Sequence, residues 1–599
     1  MARRATALTE ESGGVDKRRI EAIAARSVRH HNTEMHFNRL GRLLAPTSKL
    51  RSAFAQRRAR VAFGARIAVS VLLMAFGASA QRNYVNSELP WHNAVTDSQN
   101  RLLAWYQPEA NLGYDKVLRL AWDYLEHKIP TDAKSGLKVY LVNAVYDAKT
   151  GQGTNWQGNP ASTFGQFVDS AVAWYPYSGD REAIDMVRSM LDYQLAHGTT
   201  PADWDWARVP FATNCKNEPE YGGCLQDTPA GFRSGIETDK LGELGIGYVL
   251  FYELTGDHKY LDAAIWSADA LAKHVRLGDS DHTPWAFRVD AKTGDVLNGE
   301  EYGGMIVAPV RLFSELVRLK QGDTARYQHA RDGAWSWILK YPMHNNRWSG
   351  YFEDVHKNQQ NVNQASPTMT AYYILTADDP TAVDPHWTGD VGHLIDWVKH
   401  RFGRGPYFGA WAIDEQGAPP DYAGCCSRAG LASDTSRWAA INAMYYEKTG
   451  DGQAKEDAFR SLNFATYFAD DDGKIACCGL DYADSYWFDD GYGDHIRNYL
   501  WAMGALPELA PKGQNHLLRS SSVVTEVEYG QTSVRYRTFD AAASEVLRLN
   551  FRPHRITAGA KALGLVTDPM VEGYIIKSLD NGDFVVKVRH RTAKEIGVS

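Results

Sequence analysis

Two kinds of apolar pattern alternate along most of this chain. The segment KYLDAAIWSADALAKHV, Lys259 to Val275, sets Tyr260, Ala264, Trp266 and Leu271 against Lys259, Asp262 and Asp269. That spacing predicts an amphipathic helix with one face on a core and the other in water. The segments LGIGYVLFYEL, from Leu244, and YGGMIVAPVRLFSEL, from Tyr302, are apolar almost all round, which predicts helices buried on every side. The amphipathic series covers about 181–197, 257–275, 324–340, 388–402 and 451–468, with an earlier member in YDKVLRLAWDYLEHKI from Tyr114. The apolar series covers about 161–177, 236–254, 301–319, 364–376, 434–448 and 490–505.

Each apolar segment runs into the next amphipathic one through a short turn. YSGD (Tyr177 to Asp180), LTGD (Leu254 to Asp257), KQGD (Lys320 to Asp323) and KTGD (Lys448 to Asp451) share a form, and LTADDP from Leu375 is a looser version. Glycine supplies the left-handed residue that ends one helix, and the aspartate caps the next. Six exposed helices alternating with six buried ones predict a mainly α protein, an (α/α)6 toroid whose buried series forms the inner ring. With these turns and the aromatic-rich loops, the chain resembles the six-hairpin glycosidase-like superfamily over about residues 100–510. That superfamily holds many glycoside hydrolases, some polysaccharide lyases and relatives. The resemblance implies a carbohydrate substrate and leaves the reaction open, because no signature motif of one family is present.

The pattern changes at both ends. SSVVTEVEYGQTSVRYRTF, EVLRLNFRPHRITAG and YIIKSLDNGDFVVKVRHR alternate apolar with polar residues, and DNGD at Asp580–Asp583 is a hairpin signal. Residues 515–599 are therefore expected to form a small β-sandwich beside a toroid over 81–512. At the other end, residues 1–66 are basic and offer little for a core, so disorder is expected. IAVSVLLMAFGASA, Ile67 to Ala80, has a positive flank, a short apolar run and small residues at Ala78 and Ala80, the pattern of a signal peptide. It is shorter than the ~20 residues a membrane span needs. An initiation site downstream of Met1 would explain its internal position; a basic extension with an uncleaved anchor is the alternative. Either way the functional part is expected to be exported, periplasmic or secreted, with no stable membrane span.

Composition adds two points. A formal charge of −7 with 23% charged residues leaves no electrostatic footprint for nucleic acid. The 18 Trp and 31 Tyr suit either a large core or stacking surfaces for sugar rings.

The connections between helices are unequal. Those from an amphipathic helix to the next apolar one are long, at about 198–235, 276–300, 341–363, 403–433 and 469–489. All of them fall on the face where the inner helices begin, and long loops on a rigid scaffold are where function usually sits. The inner-helix entries carry acids, amides and aromatics: Trp156; Glu237 and Asp239; Glu301; Gln364; Asp434 and Arg437; and, in YWFDDGYGDH, Trp487, Asp490, Tyr492, Asp494 and His495. Taken singly, each has a structural role available as a cap or ion-pair partner, and Asp494 with Arg497 is one such pair. Together they are a sugar-binding inventory.

Glycosidic hydrolysis needs a carboxylic acid for the leaving oxygen and a second carboxylate as base or nucleophile. Glu237 is nominated as acid and Asp490 as base, with Glu301 as substitute for either. The resemblance favours inversion. Trp156, Asp239, Gln364, Asp434, Arg437, Trp487, Tyr492, Asp494 and His495 are nominated as substrate contacts.

Three alternatives stand beside this. A polysaccharide lyase or uronate epimerase would use Tyr492 or His495 as base against a uronate-containing substrate. A non-catalytic sugar-binding toroid would use the same carboxylates only to hold hydroxyls. The third concerns the cysteines. Cys215 and Cys224 bracket a short loop they could close, and export favours disulfides. The vicinal pairs Cys425–Cys426 and Cys477–Cys478 resemble, in their adjacency alone, the zinc-thiolate site of β-L-arabinofuranosidases. Their flanks do not match that family, so no cofactor is expected.

Overall fold

The computed structural model describes residues 83–599 apart from 107–109, 148, 155–158, 216–217, 226–227, 351–362, 415–429 and 477–484. The basic extension, the signal segment, Trp156 and the four vicinal cysteines lie outside the described residues.

Among the described residues, twelve long helices alternate between an outer and an inner position. In chain order they are α1 Ala110–Asp123, α2 Pro160–Ser178, α3 Glu182–His197, α4 Thr238–Thr255, α5 His258–His274, α6 Val307–Leu319, α7 Thr324–Lys340, α8 Ala365–Thr376, α9 Trp387–Phe402, α10 Ala432–Thr449, α11 Gly452–Ala465 and α12 Asp494–Ala505. The even-numbered helices pack in the order α2, α4, α6, α8, α10, α12, and α12 closes the ring against α2. This is the (α/α)6 toroid expected from the two apolar patterns.

The turns behave as their residues require. Gly179, Gly256 and Gly450 end α2, α4 and α10 at φ of 79°, 75° and 77°, a region open mainly to glycine. The Asp257 side chain caps α5 by accepting from the Lys259 backbone N–H, and Asp451 caps α11 from Gln453 and Ala454. The KQGD turn differs: Lys320, at φ 57°, takes the left-handed position that ends α6. The start of α6 also differs from expectation. It begins at Val307, not near 301, so Glu301 lies in the preceding loop. Gly303 and Gly304 there disfavour the helix.

Small residues let the inner helices close on one another. A Cβ at Gly242 of α4 would sit 2.3 Å from the Pro309 nitrogen of α6, and one at Gly165 of α2 would sit 2.7 Å from the Glu243 carbonyl. On the side where the inner helices begin, loop segments pair into short antiparallel ladders. Val145–Asp147 pairs with Ser485–Trp487, and Gly235–Glu237 with Arg288–Asp290.

The C-terminal region forms two antiparallel sheets. One has the order Val524–Tyr529, Val534–Thr538, Glu595–Val598, Ile556–Ala558, Lys561–Ala562, and the other Gly573–Ser578, Phe584–His590, Ala543–Leu549, His516–Ser520. They share an apolar core that includes Leu517, Val534, Leu547, Val586 and Ile596. They meet the C-terminal ends of the inner helices. Tyr529 bonds the Pro176 carbonyl, His516 Nδ1 lies 2.8 Å from the Tyr177 carbonyl, and Arg519 pairs with Glu447 at 2.6 Å. One end of the ring is thus occupied by sheet, which leaves the opposite end, with the long loops, for a site. No described helix is long and apolar enough to cross a membrane.

Candidate functional site

Polar contacts join the first turns of neighbouring inner helices, so these turns lie at one level. Lys240 Nζ of α4 is 3.4 Å from Ser162 Oγ of α2. Ser366 of α8 donates to the Gly304 carbonyl ahead of α6 at 2.9 Å. Ser436 Oγ of α10 is 3.1 Å from His495 Nδ1 of α12.

Within this layer the nominated residues fall into two groups. The first lies at the entry to α4 and α6. Glu237 is fully buried and stands opposite Arg288 in the short ladder, its Oε1 2.8 Å from the guanidinium; Glu300 lies 3.8 Å from the same group. Asp239 accepts from the backbone N–H of Lys240 at 2.9 Å and of Met305 at 3.2 Å, tying α4 to the segment before α6. Glu301 pairs with Arg276 at 2.6 Å and is about one-third exposed.

The second group spans α8, α10 and α12. Asp434, in the first turn of α10, pairs with Arg437 one turn on, and Arg437 also pairs with Asp494 of α12. Arg437 Nε donates to Thr368 Oγ1 of α8 at 3.1 Å. Gln364, at the start of α8, interacts with Asp434. All of these side chains are buried. Burial pushes the Asp434 carboxyl up to about 6, opposed chiefly by Arg437. The Gln364 amide N–H faces the Asp434 carboxylate and opposes the same rise. His495 is fully buried; its Nδ1 lies 2.9 Å from the Ala432 carbonyl, and its Nε2 has no partner. Burial holds its imidazole down to about 4, so it is neutral at pH 7.

The structure thus brings Gln364, Asp434, Arg437 and Asp494 together, with His495 on the neighbouring helix interface. Tyr492 is buried elsewhere. Its hydroxyl is 3.2 Å from that of Tyr146 and accepts from the Ile475 N–H at 3.2 Å, fastening three loop segments. Trp487 lies in the ladder with Val145–Asp147. Asp490 is described by its backbone, in the π-helical turn Asp489–Gly493 ahead of α12. Arg497 donates to Asp494 at 2.6 Å and covers the Trp501 ring at 5.0 Å.

Several residues of the site were not nominated. Asp414, buried at the end of the strand Ala410–Ile413, pairs with Arg404. Burial pushes its carboxyl up to about 6, and its charge raises that of Asp434. Asp169 in the middle of α2 meets both Arg497 of α12 and Arg311 of α6. Charged residues inside the apolar stretches TFGQFVDSAVAWY and VAPVRLFSEL were the available signal for these two. Asp414 had no comparable marker. Near the first group, the Cys215 and Cys224 sulfurs are at bonding distance.

No protein-family model and no curated protein matches the sequence. Solved structures similar to it include a sugar epimerase from a ruminal bacterium (10% identity, 65% of this chain, 99% of that one, TM-score 0.47). Others are cellobiose 2-epimerase from Spirochaeta thermophila DSM 6192 (12%, 66% and 98%, 0.47) and a Glycoside Hydrolase Family 15 glucoamylase from Hypocrea jecorina (12%, 66% and 72%, 0.42).

Proposed function

We propose that this protein is an exported carbohydrate-processing enzyme that hydrolyses glycosidic bonds with inversion, with Asp434 as the proton donor and Asp490 as the second carboxylate. One observation carries the assignment: Asp434 is a buried carboxyl held up to about 6 between Gln364 and Arg437, in the ring layer where the long loops meet. A carboxyl at that value is still partly protonated near neutral pH and can protonate a leaving oxygen. Gln364 and Arg437 supply donors beside it, as sugar hydroxyls require. Glu237 and Glu301 hold Arg288 and Arg276 in this scheme and shape the wall of the site.

The test is mass spectrometry of products from a panel of neutral and uronate-containing oligosaccharides. Hydrolysis gives fragments summing to substrate plus one water. Asp434→Asn is expected to lower kcat/KM by about 10²-fold or more, while Glu237→Gln keeps a larger share of activity. Undiminished turnover by Asp434→Asn would remove Asp434 from the chemistry.

A second reading, lyase or epimerase, rests on His495, whose neutral imidazole stands between α10 and α12 with Nε2 unpartnered among the described residues. Products summing to the substrate mass, one of them unsaturated and absorbing in the ultraviolet, would select the lyase.

A further inference from the structure

Beneath Asp434 the centre of the ring is crossed by an unbroken chain of alternating charges. Asp434 meets Arg437, and Arg437 meets Asp494. Asp494 receives Arg497 at 2.6 Å, Arg497 reaches Asp169 at 2.8 Å, and Asp169 faces Arg311 at 3.7 Å. The six residues come from four inner helices, α10, α12, α2 and α6. A fifth, α8, completes the wall, with Thr368 bonded to Arg437, and with Tyr372 stacked on Trp501 at 4.0 Å and lying under Arg311. Aspartates 434, 494 and 169 are matched by arginines 437, 497 and 311, all with side chains no more than 15% exposed. Six charges far exceed what helix packing needs, since well-packed apolar residues hold a core at least as well as a buried ion pair.

We propose that Asp169 and Arg311 are positioning residues that set, through Arg497 and Asp494, how strongly Arg437 holds the Asp434 carboxylate. This deepens the role proposed for Asp434 and rests on it. The sign follows from the alternation. Without the charge of Asp169, Arg497 draws harder on Asp494, Arg437 is freed toward Asp434, and the ionised form of Asp434 is favoured. Without Arg311, Asp169 draws harder on Arg497, Asp494 turns to Arg437, and Asp434 is left more protonated. Among the described residues, the other groups facing Asp434 are Gln364 of α8 and the Asp414 carboxylate, itself paired with Arg404. Neither changes in these variants.

The test is a carboxyl-carbon NMR titration of the whole chain labelled at aspartate, with Asp434→Asn used to assign the resonance. Asp169→Asn is expected to lower the Asp434 midpoint, and Arg311→Met to raise it, each by about half a unit. Arg311→Lys, which keeps the charge, should return it toward the parent value. A purely structural role would not move one midpoint in opposite directions. Should Asp169→Asn fail to fold, the Arg311→Met and Arg311→Lys pair still decides. Midpoints unchanged in folded variants, or moving the same way, would overturn the proposal, as would a parent midpoint at the ordinary carboxylate value. Midpoints that move as expected in a protein that turns over no sugar would leave the relay standing and sink the catalytic reading.

Discussion

His495 shows how one buried side chain writes itself into the behaviour of the protein. Its imidazole is held neutral, down to about 4, because burial denies the charged form its water. The unfolded chain binds a proton there at about 6.5. The folded state therefore loses stability relative to the unfolded one as pH falls from about 6.5 toward 4. We expect the stability difference between the parent and His495→Gln to shrink by about 2–3 kcal/mol between pH 7 and pH 4.5, measured by denaturant unfolding at each pH. Asp434 has the opposite sign. A carboxyl held up to about 6 favours the folded state most below about 4, and this contribution fades as pH rises through 6. Asp434→Asn should therefore become relatively more stable than the parent at pH 7 than at pH 4, by an amount of the same order.

At the scale of elements, the inner ring depends on glycine where two helices cross. A Cβ at Gly242 would stand 2.3 Å from the backbone nitrogen of Pro309 and 2.5 Å from its Cδ. Neither is a flexible group that can swing aside. Gly242→Ala is expected to cost about 1–3 kcal/mol through forced separation of α4 and α6, against the small gain alanine offers in a helix interior. A melting curve on the folded variant checks it, and no loss would mean that the two helices part without strain. The charge chain makes a second demand on these elements. Asp494 bridges Arg437 and Arg497, so Asp494→Ala leaves two buried guanidiniums short of a partner. The expected cost is about 3–5 kcal/mol.

At the scale of the whole molecule, the C-terminal sheets are fastened to the end of the ring opposite the site. Arg548 is buried there; it pairs with Asp583 at 2.8 Å and donates to the carbonyls of Pro507, Glu508 and Ala510 just after α12. Arg318 in the last turn of α6 joins Glu253 of α4 and, at 2.9 Å, Asp540 of the sheet region. Arg548→Met is expected to destabilise the chain by about 3–5 kcal/mol, by leaving Asp583 and three carbonyls without their donor. It should leave KM unchanged, because the latch stands at the end of the ring away from Asp434. Unfolding followed by tryptophan fluorescence and steady-state kinetics on the same variant test both statements.

Local physics was enough to make the ring legible in the amino-acid order. Apolar periodicity separated inner from outer helices, Gly-Asp turns marked where most hairpins fold back, and unequal loops singled out the face on which the site is proposed. Each of these is set by residues within a few positions of one another, so a single strand of text contains it. The shift of α6 to Val307 and the π turn ahead of α12 were less visible, because glycine content alone does not say how many residues a turn will absorb. What only the tertiary structure decided is which charges meet. Glu237 reads the same as Asp434 at a helix entry. Both are buried beside an arginine, Glu237 across a ladder with Arg288 and Asp434 with Arg437 one turn along its own helix, which also reaches Asp494. Asp414, Asp434, Asp494 and Asp169 are separated by long stretches of chain and become neighbours only because six hairpins close into a ring. Burial and charge pairing act through space, and they hold the Asp434 carboxyl up to about 6 without leaving a mark in the neighbouring sequence.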